Sequence, residues 1–371
     1  MTLTRTRVYN FSAGPAVLPE TVLEQIRDEM LCLPGAGSSV LEISHRGPEF
    51  KAILADARDR YRRVFSVPDD YEILFLQGGA ILQNAMIPAN LITDRAATAD
   101  YIITGSWGKK SSKEVGHFAR LNVAWDGDEV QYRRLPEAPE IRLSRDAAYL
   151  HYTSNETIHG VQFRDPPDSG GAPLVSDMSS DILSRPVDVS RFGLIYACAQ
   201  KNSGVSGLTV VIIRRDLLER SADRLPTYLD YSKHAAAGSM ANTPPTFAIY
   251  VSGLICKWIE EEIGGLENMQ QRNEHKAGIL YDIIDRYGNF YQGHASPDSR
   301  SLMNVVFRTP DAETDKAFVD EAAGAGMTTL KGHRSVGGIR ASIYNAMPLA
   351  GVEDLAGFMT EFAERRGAEA L

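Results

Sequence analysis

Leu194-Ile-Tyr-Ala-Cys-Ala-Gln-Lys201-Asn-Ser-Gly-Val-Ser-Gly207 is the stretch on which the fold turns. The apolar run Leu194–Ala197 hardly alternates with polar residues, as in a strand covered on both faces. A lysine follows, among small residues and glycines that leave room for a bulky group. Lysine forms Schiff bases with aldehydes, and desolvation lowers its pKa toward reactivity. On this segment alone a surface lysine in a turn fits equally well.

Working outward, similar apolar runs occupy Tyr71–Leu76, Tyr101–Thr104, Ala148–Tyr152, Pro173–Ser176 and Leu208–Ile213. Helix-compatible stretches such as Ala80–Asn90 and Gly108–Ala119 lie between them. The expected result is an α/β domain with a mostly parallel sheet. Pro244-Pro245 opens a helical region expected to run past Gly264-Gly265 to about residue 287, and the domain boundary is placed in it. A strand (Leu302–Phe307), a helix (Ala312–Ala323), two short strands and a final amphipathic helix follow. That last helix carries Leu355, Phe358, Met359 and Phe362 at helical spacing. The expected division is a large domain over 16–265 and a smaller α+β domain over 266–371, with segment 1–15 associated.

Composition narrows the function. With 371 residues and 43% hydrophobic content, the chain can bury a sizeable core. Its formal net charge of −9 argues against nucleic acid, whose affinity comes from Lys and Arg. Three scattered cysteines, Cys32, Cys198 and Cys256, make no disulfide framework and no metal motif. The N-terminal residues show no secretory apolar segment, and runs such as Leu208–Ile213 fall far short of the roughly 18 residues of a membrane span. A cytoplasmic protein is expected.

Ligands of open α/β sheets bind at the carboxyl ends of the strands, so the polar residues there matter most. Asp177 ends the run Pro173–Ser176. A buried carboxylate needs a cation or several donors, and a protonated pyridine nitrogen is one such cation; a cap on the next turn is the other reading. Gly78-Gly79-Ala80 closes a strand and opens a helix, where free amides suit an anion. Trp107 can stack on a flat ligand, although core packing is the commoner role of tryptophan. The pairs His45-Arg46 and His333-Arg334, with Arg340, suit an anionic substrate, or are solvated charges.

The order of these residues, together with longer segments, resembles the phosphoserine aminotransferase family, pyridoxal-phosphate (PLP) enzymes of fold type I in the class-V aminotransferases. The segments are Asn10-Phe-Ser-Ala-Gly-Pro15, Ser44-His-Arg-Gly47, Asn155-Glu-Thr-Ile158, Ser180-Asp-Ile-Leu-Ser-Arg-Pro186, Ala199-Gln-Lys-Asn202, Gly238-Ser-Met-Ala-Asn-Thr-Pro-Pro-Thr246, Lys331-Gly-His-Arg334 and the run from Gly337 to Pro348. The resemblance implies that Lys201 is the Schiff-base lysine, that Asp177 pairs with the pyridine nitrogen, that Trp107 stacks on the ring and that Thr157 meets its polar edge. It implies that Gln200 and the turn at Gly79, Ala80 and Ile81 hold the cofactor phosphate, helped by Asn242 and Thr243 from the second subunit of a homodimer. Arg340 would clamp the substrate carboxylate, and His333 and Arg334, with His45 and Arg46 of the partner subunit, would take the substrate phosphate. No metal is implied.

The implied reaction is reversible amino transfer between O-phospho-L-serine and 2-oxoglutarate in serine biosynthesis, with a side role in pyridoxine synthesis. The competing readings are an alanine–glyoxylate or serine–pyruvate enzyme, or a binding protein on the same fold. One departure stands out: the family usually has Ser or Arg where this chain has Ile81, whose side chain offers phosphate nothing.

Overall fold

A computed structural model of the chain describes residues 7–221 and 225–370. Residues 1–6 of the expected N-terminal segment lie outside the described residues.

Helices α1 (Glu20–Glu29) and α2 (Pro48–Val64) precede the sheet. The chain then alternates through β1 (Tyr71–Leu76), α3 (Gly79–Leu91), β2 (Thr98–Ile103), α4 (Ser106–Glu114) and β3 (Arg120–Asp126). Strands β4 (Ala147–Thr153), β5 (Leu174–Asp177), β6 (Leu194–Cys198) and β7 (Thr209–Arg214) complete the set. These seven form one sheet in the order β1-β7-β6-β5-β4-β2-β3. Only β7 runs antiparallel to its neighbours, β1 and β6, and the rest pair in parallel.

The apolar runs become strands because both faces of the sheet are covered. On one face α2 and α5 (Thr246–Trp258) pack together, joined by a buried 2.9 Å hydrogen bond between the Tyr61 hydroxyl and Ser252 Oγ. On the other, α3 covers Leu74, Tyr101, Tyr149 and Tyr196. The expected strands agree with the observed ones to within a few residues. The exception is β3, an edge strand with much of its surface exposed, which offers no apolar run to read.

The helical region after Pro245 differs from expectation. It does not run unbroken to residue 287. The chain passes through one wide turn at Ile259–Ile263, and Gly264 (φ 80°) and Gly265 (φ 108°) then take left-handed conformations that end it. A separate helix, α6 (Leu266–Arg286), follows.

Beyond α6 come β8 (Asn304–Arg308), α7 (Ala312–Gly324), β9 (Ile339–Ser342) and α8 (Leu349–Glu364). Strands β8 and β9 pair antiparallel, with a short strand, Gln292–Gly293, on the other side of β8. Their core contains Leu280, Phe307, Phe318, Leu355, Met359 and Phe362. Tyr9–Asn10 pairs with Met327–Thr328, and Phe11 is buried in the same core. Among the described residues no helix is long and apolar enough to cross a membrane.

One buried group in the large sheet sets a pH dependence. His151 on β4 is stacked on Tyr101 at 4.6 Å and meets the Tyr196 hydroxyl at 3.0 Å through Nε2. Burial holds its imidazole down to about 3, against the ordinary 6.5. Between these values the unfolded chain takes up a proton that the folded chain refuses. The His151 contribution is therefore complete above pH ~6.5 and is lost as pH falls toward ~3. Chemical denaturation at several pH values is expected to show wild type losing stability faster than His151→Gln below pH ~6. Parallel slopes for the two proteins would contradict this.

Candidate active site

Because β1, β2, β4, β5 and β6 run the same way, their carboxyl ends open on one edge of the sheet. Each is followed at once by a residue singled out in the sequence. Gly78 and Gly79 follow β1, Trp107 follows β2, Thr157 follows β4, Asp177 ends β5, and Lys201 lies just past β6. The strand pattern thus delivers side chains far apart in sequence to one crevice.

The crevice holds a cavity of about 280 Å³. Its lining includes Ala80, Trp107, Thr157, Asp177, Gln200, Lys201, His333 and Arg340. Lys201 Nζ donates to Thr157 Oγ1 at 2.7 Å and stands 5.5 Å from the centroid of the Trp107 ring. Asp177 is only 7% exposed, and its Oδ1 accepts from the Ser179 amide at 2.8 Å. Burial raises the Asp177 carboxyl above the usual carboxylate range, against the pull of the Ser179 donors and the Lys201 ammonium. A cation brought against it would therefore be strongly favoured.

From the C-terminal part of the chain, β9 supplies Arg340 and the preceding loop supplies His333. Burial, Arg340 and Arg334 all push the His333 imidazole below its usual value. An anion bound beside His333 and Arg340 would favour the protonated imidazole.

Other residues named in the sequence are not brought to this cavity by a single chain. Arg334 lines a neighbouring cavity together with His333 and Lys331. His45 and Arg46 lie in the turn before α2, and Arg46 is exposed. Asn242 Nδ2 donates to Gln77 Oε1 at 3.0 Å, and Gln77 Nε2 to the Thr243 carbonyl at 3.5 Å, so both flank the turn after β1 from outside.

At that turn Gly78 (φ 91°) is required, since a Cβ there would come within 2.3 Å of Leu82 Cδ2. The expected phosphate amides begin just beyond it. The Ala80 amide donates to Cys198 Sγ at 3.0 Å, a weak acceptor. The Ile81 side chain is 62% exposed.

Three polar residues not singled out in the sequence also line or back the site. Thr153 and Asn155 line the cavity. Asn155 ties three segments together, through Ser180 Oγ at 2.9 Å, Asn304 Oδ1 at 2.8 Å and Ser301 Oγ at 2.6 Å. Glu156 lies behind Trp107, fully buried. For Asn155 and Glu156 the only signal was their place beside Thr157 in Asn155-Glu-Thr-Ile158; Thr153 had none.

The residues present fit PLP. Trp107 Nε1, Thr153 Oγ1 and Arg340 Nε are buried without partners on the lining residues, as expected where a polar ligand completes the hydrogen bonding. A flat indole, an amine and a buried carboxylate are the donor set for an aromatic aldehyde with a basic ring nitrogen.

Fold and cavity together define a PLP-dependent aminotransferase. The model of the family "Aminotransferase class-V" matches residues 8–355. The phosphoserine aminotransferase of Rhodopirellula baltica is 51% identical over 360 residues, covering 97% of this chain and 96% of that one. Among solved structures, phosphoserine aminotransferase from Bacillus circulans subsp. alkalophilus superposes with a TM-score of 0.95 at 49% identity, over 97% of this chain and 99% of that one. The PLP-bound phosphoserine aminotransferase of Trichomonas vaginalis gives 0.91 at 42% identity, over 95% and 100% of the two chains. The chain belongs to the class-V aminotransferases, in the phosphoserine aminotransferase family.

Proposed function

We propose that the protein moves an amino group reversibly between O-phospho-L-serine and 2-oxoglutarate, giving 3-phosphohydroxypyruvate and L-glutamate, as a cytoplasmic homodimer of serine biosynthesis. The observation that carries this reading is the convergence, on one cavity, of Lys201, buried Asp177, His333 and the Arg340 guanidinium. Full-length relatives at half identity favour it over the alanine–glyoxylate and serine–pyruvate readings. Neither alternative substrate carries a phosphate for His333 and Arg334 to hold.

Bound PLP supplies a conjugated ring that spreads negative charge developing at the substrate Cα. Around it each residue has a distinct task. Lys201, the residue to which the cofactor is joined between turnovers, takes the Cα proton and returns it on the other side of the transfer. Asp177 holds the proton on the ring nitrogen. Trp107 would stack on the ring, and Thr157, which holds the Lys201 amine at 2.7 Å, would meet the ring's polar edge. Gln200, with the turn at Gly79, Ala80 and Ile81, takes the cofactor phosphate, helped by Asn242 and Thr243 of the partner subunit.

Arg340 would grip the substrate carboxylate and so fix the direction of the Cα–H bond, a positioning effect. His333 and Arg334 bind the substrate phosphate together with His45 and Arg46 of the partner subunit. In this reading residues 16–265 hold the cofactor, and residues 266–371, joined by the N-terminal segment, close over the substrate.

The test compares phosphoserine, serine, alanine and glutamate as amino donors, with PLP added. Phosphoserine is expected to be strongly preferred over serine and alanine. A charge-assisted hydrogen bond is worth about 1.5–3 kcal/mol, so His333→Ala or Arg334→Ala is expected to lower kcat/KM for phosphoserine about ten- to hundredfold, with a smaller loss for glutamate. Equal losses for both donors would remove the phosphate site from this reading.

A further inference from the structure

Glu156 carries a charge-bearing group that the reaction above does not use. It is fully buried, yet both its oxygens are engaged. Oε1 accepts from the Gly108 amide at 2.8 Å, and Oε2 from the Trp107 amide at 3.2 Å. These amides lie in the first turn of α4, whose preceding residue, Gly105, contributes no side-chain cap. The carboxylate thus replaces the missing cap from a segment 49 positions away in sequence. It also sits at the positive end of the helix dipole, where a negative charge is stabilised.

The approach is close. A Cβ on Gly105 would fall 2.5 Å from the Glu156 Cδ and 2.7 Å from His159 Nδ1. Burial pushes the Glu156 carboxyl up to about 7, while the two amides pull it down. The first turn of α4 also carries the Trp107 ring, which lines the cavity with its Nε1 free of protein partners.

We propose that Glu156 is a positioning residue for the cofactor site: by holding the two amides of the first turn of α4, it fixes the Trp107 ring against the face on which the cofactor lies. This rests on the reading of Trp107 as a cofactor contact. Glu156 itself touches neither cofactor nor substrate.

The experiment is a double-mutant cycle on the apoenzyme, with PLP affinity measured by equilibrium dialysis for wild type, Glu156→Gln, Trp107→Ala and the double variant. Glutamine keeps the shape of glutamate, but its –NH2 cannot accept a hydrogen bond, so one of the two amides loses its acceptor. Glu156→Gln is expected to weaken PLP binding about tenfold, the effect of losing one such bond to a charged group. In the Trp107→Ala background the same change is expected to cost nothing further, because Glu156 acts through that ring.

Losses that simply add would overturn the proposal, as would an unchanged affinity in Glu156→Gln. An unchanged affinity in Trp107→Ala would instead remove the reading of Trp107, and this inference with it. Thermal melts of the apo forms check folding. Should Glu156→Gln not fold, Glu156→Asp, which keeps the charge but withdraws it from the amides, completes the same cycle.

Discussion

Lys201→Ala is expected to abolish amino transfer. In the proposed reaction the side chain has two tasks, covalent attachment of the cofactor between turnovers and proton transfer at Cα. Losing a positioned acid–base group alone costs about 10²- to 10⁴-fold, and losing the attachment adds to it. Among the described residues that line the cavity Lys201 is the one lysine, and its amine hydrogen-bonds Thr157 at 2.7 Å. Lys109 and Lys110 lie on α4 and do not line the cavity: the Lys109 amine donates to the Tyr132 hydroxyl at 3.3 Å, and the Lys110 amine lies 5.0 Å from the centroid of the Trp107 ring. Two measurements check the assignment. Borohydride reduction of the wild type followed by mass spectrometry should leave the cofactor mass on the peptide containing Lys201, and Lys201→Ala should carry none. A Lys201→Ala protein with substantial turnover would end this assignment.

The second large effect is expected from Asp177→Asn. Asparagine fills the same space at the end of β5 and can still accept from the Ser179 amide, so the fold is expected to survive. What is lost is the negative charge. Breaking a buried ion pair by neutralising one partner costs about 3–5 kcal/mol, or roughly 10²- to 10⁴-fold in kcat when the charge acts on the reacting system. The cofactor should still attach to Lys201, since that bond does not involve Asp177. Loss of turnover with retained attachment separates this residue's role from that of Lys201. Near-wild-type kcat in Asp177→Asn would show that the ring nitrogen finds its proton elsewhere.

Both residues are legible in the sequence because each follows a continuous apolar run, and a polar residue at the end of a buried parallel strand faces the crevice. Strand β3 was not readable for the complementary reason: half-exposed at the sheet edge, it alternates with polar residues. The break at Gly264-Gly265 was visible as two glycines, but only their left-handed backbone shows that the helix stops there and a new one begins. Glu156 was hidden more completely. Nothing local distinguishes a glutamate that caps its own turn from one that reaches the first turn of α4, and the distinction is its whole significance.

The sequence by itself determined the layered α/β fold, the strand ends that bear Lys201 and Asp177, and the run of motifs that places the chain in its family. These follow from local patterns: apolar runs need cover on both faces, and glycines permit turns that other residues resist. The tertiary structure alone decided which of the named residues share one cavity in a single chain, that the Ala80 amide is engaged by Cys198, and that Glu156 stands behind Trp107. Such facts depend on distances between segments far apart along the chain. They arise only when the sheet stacks those segments side by side.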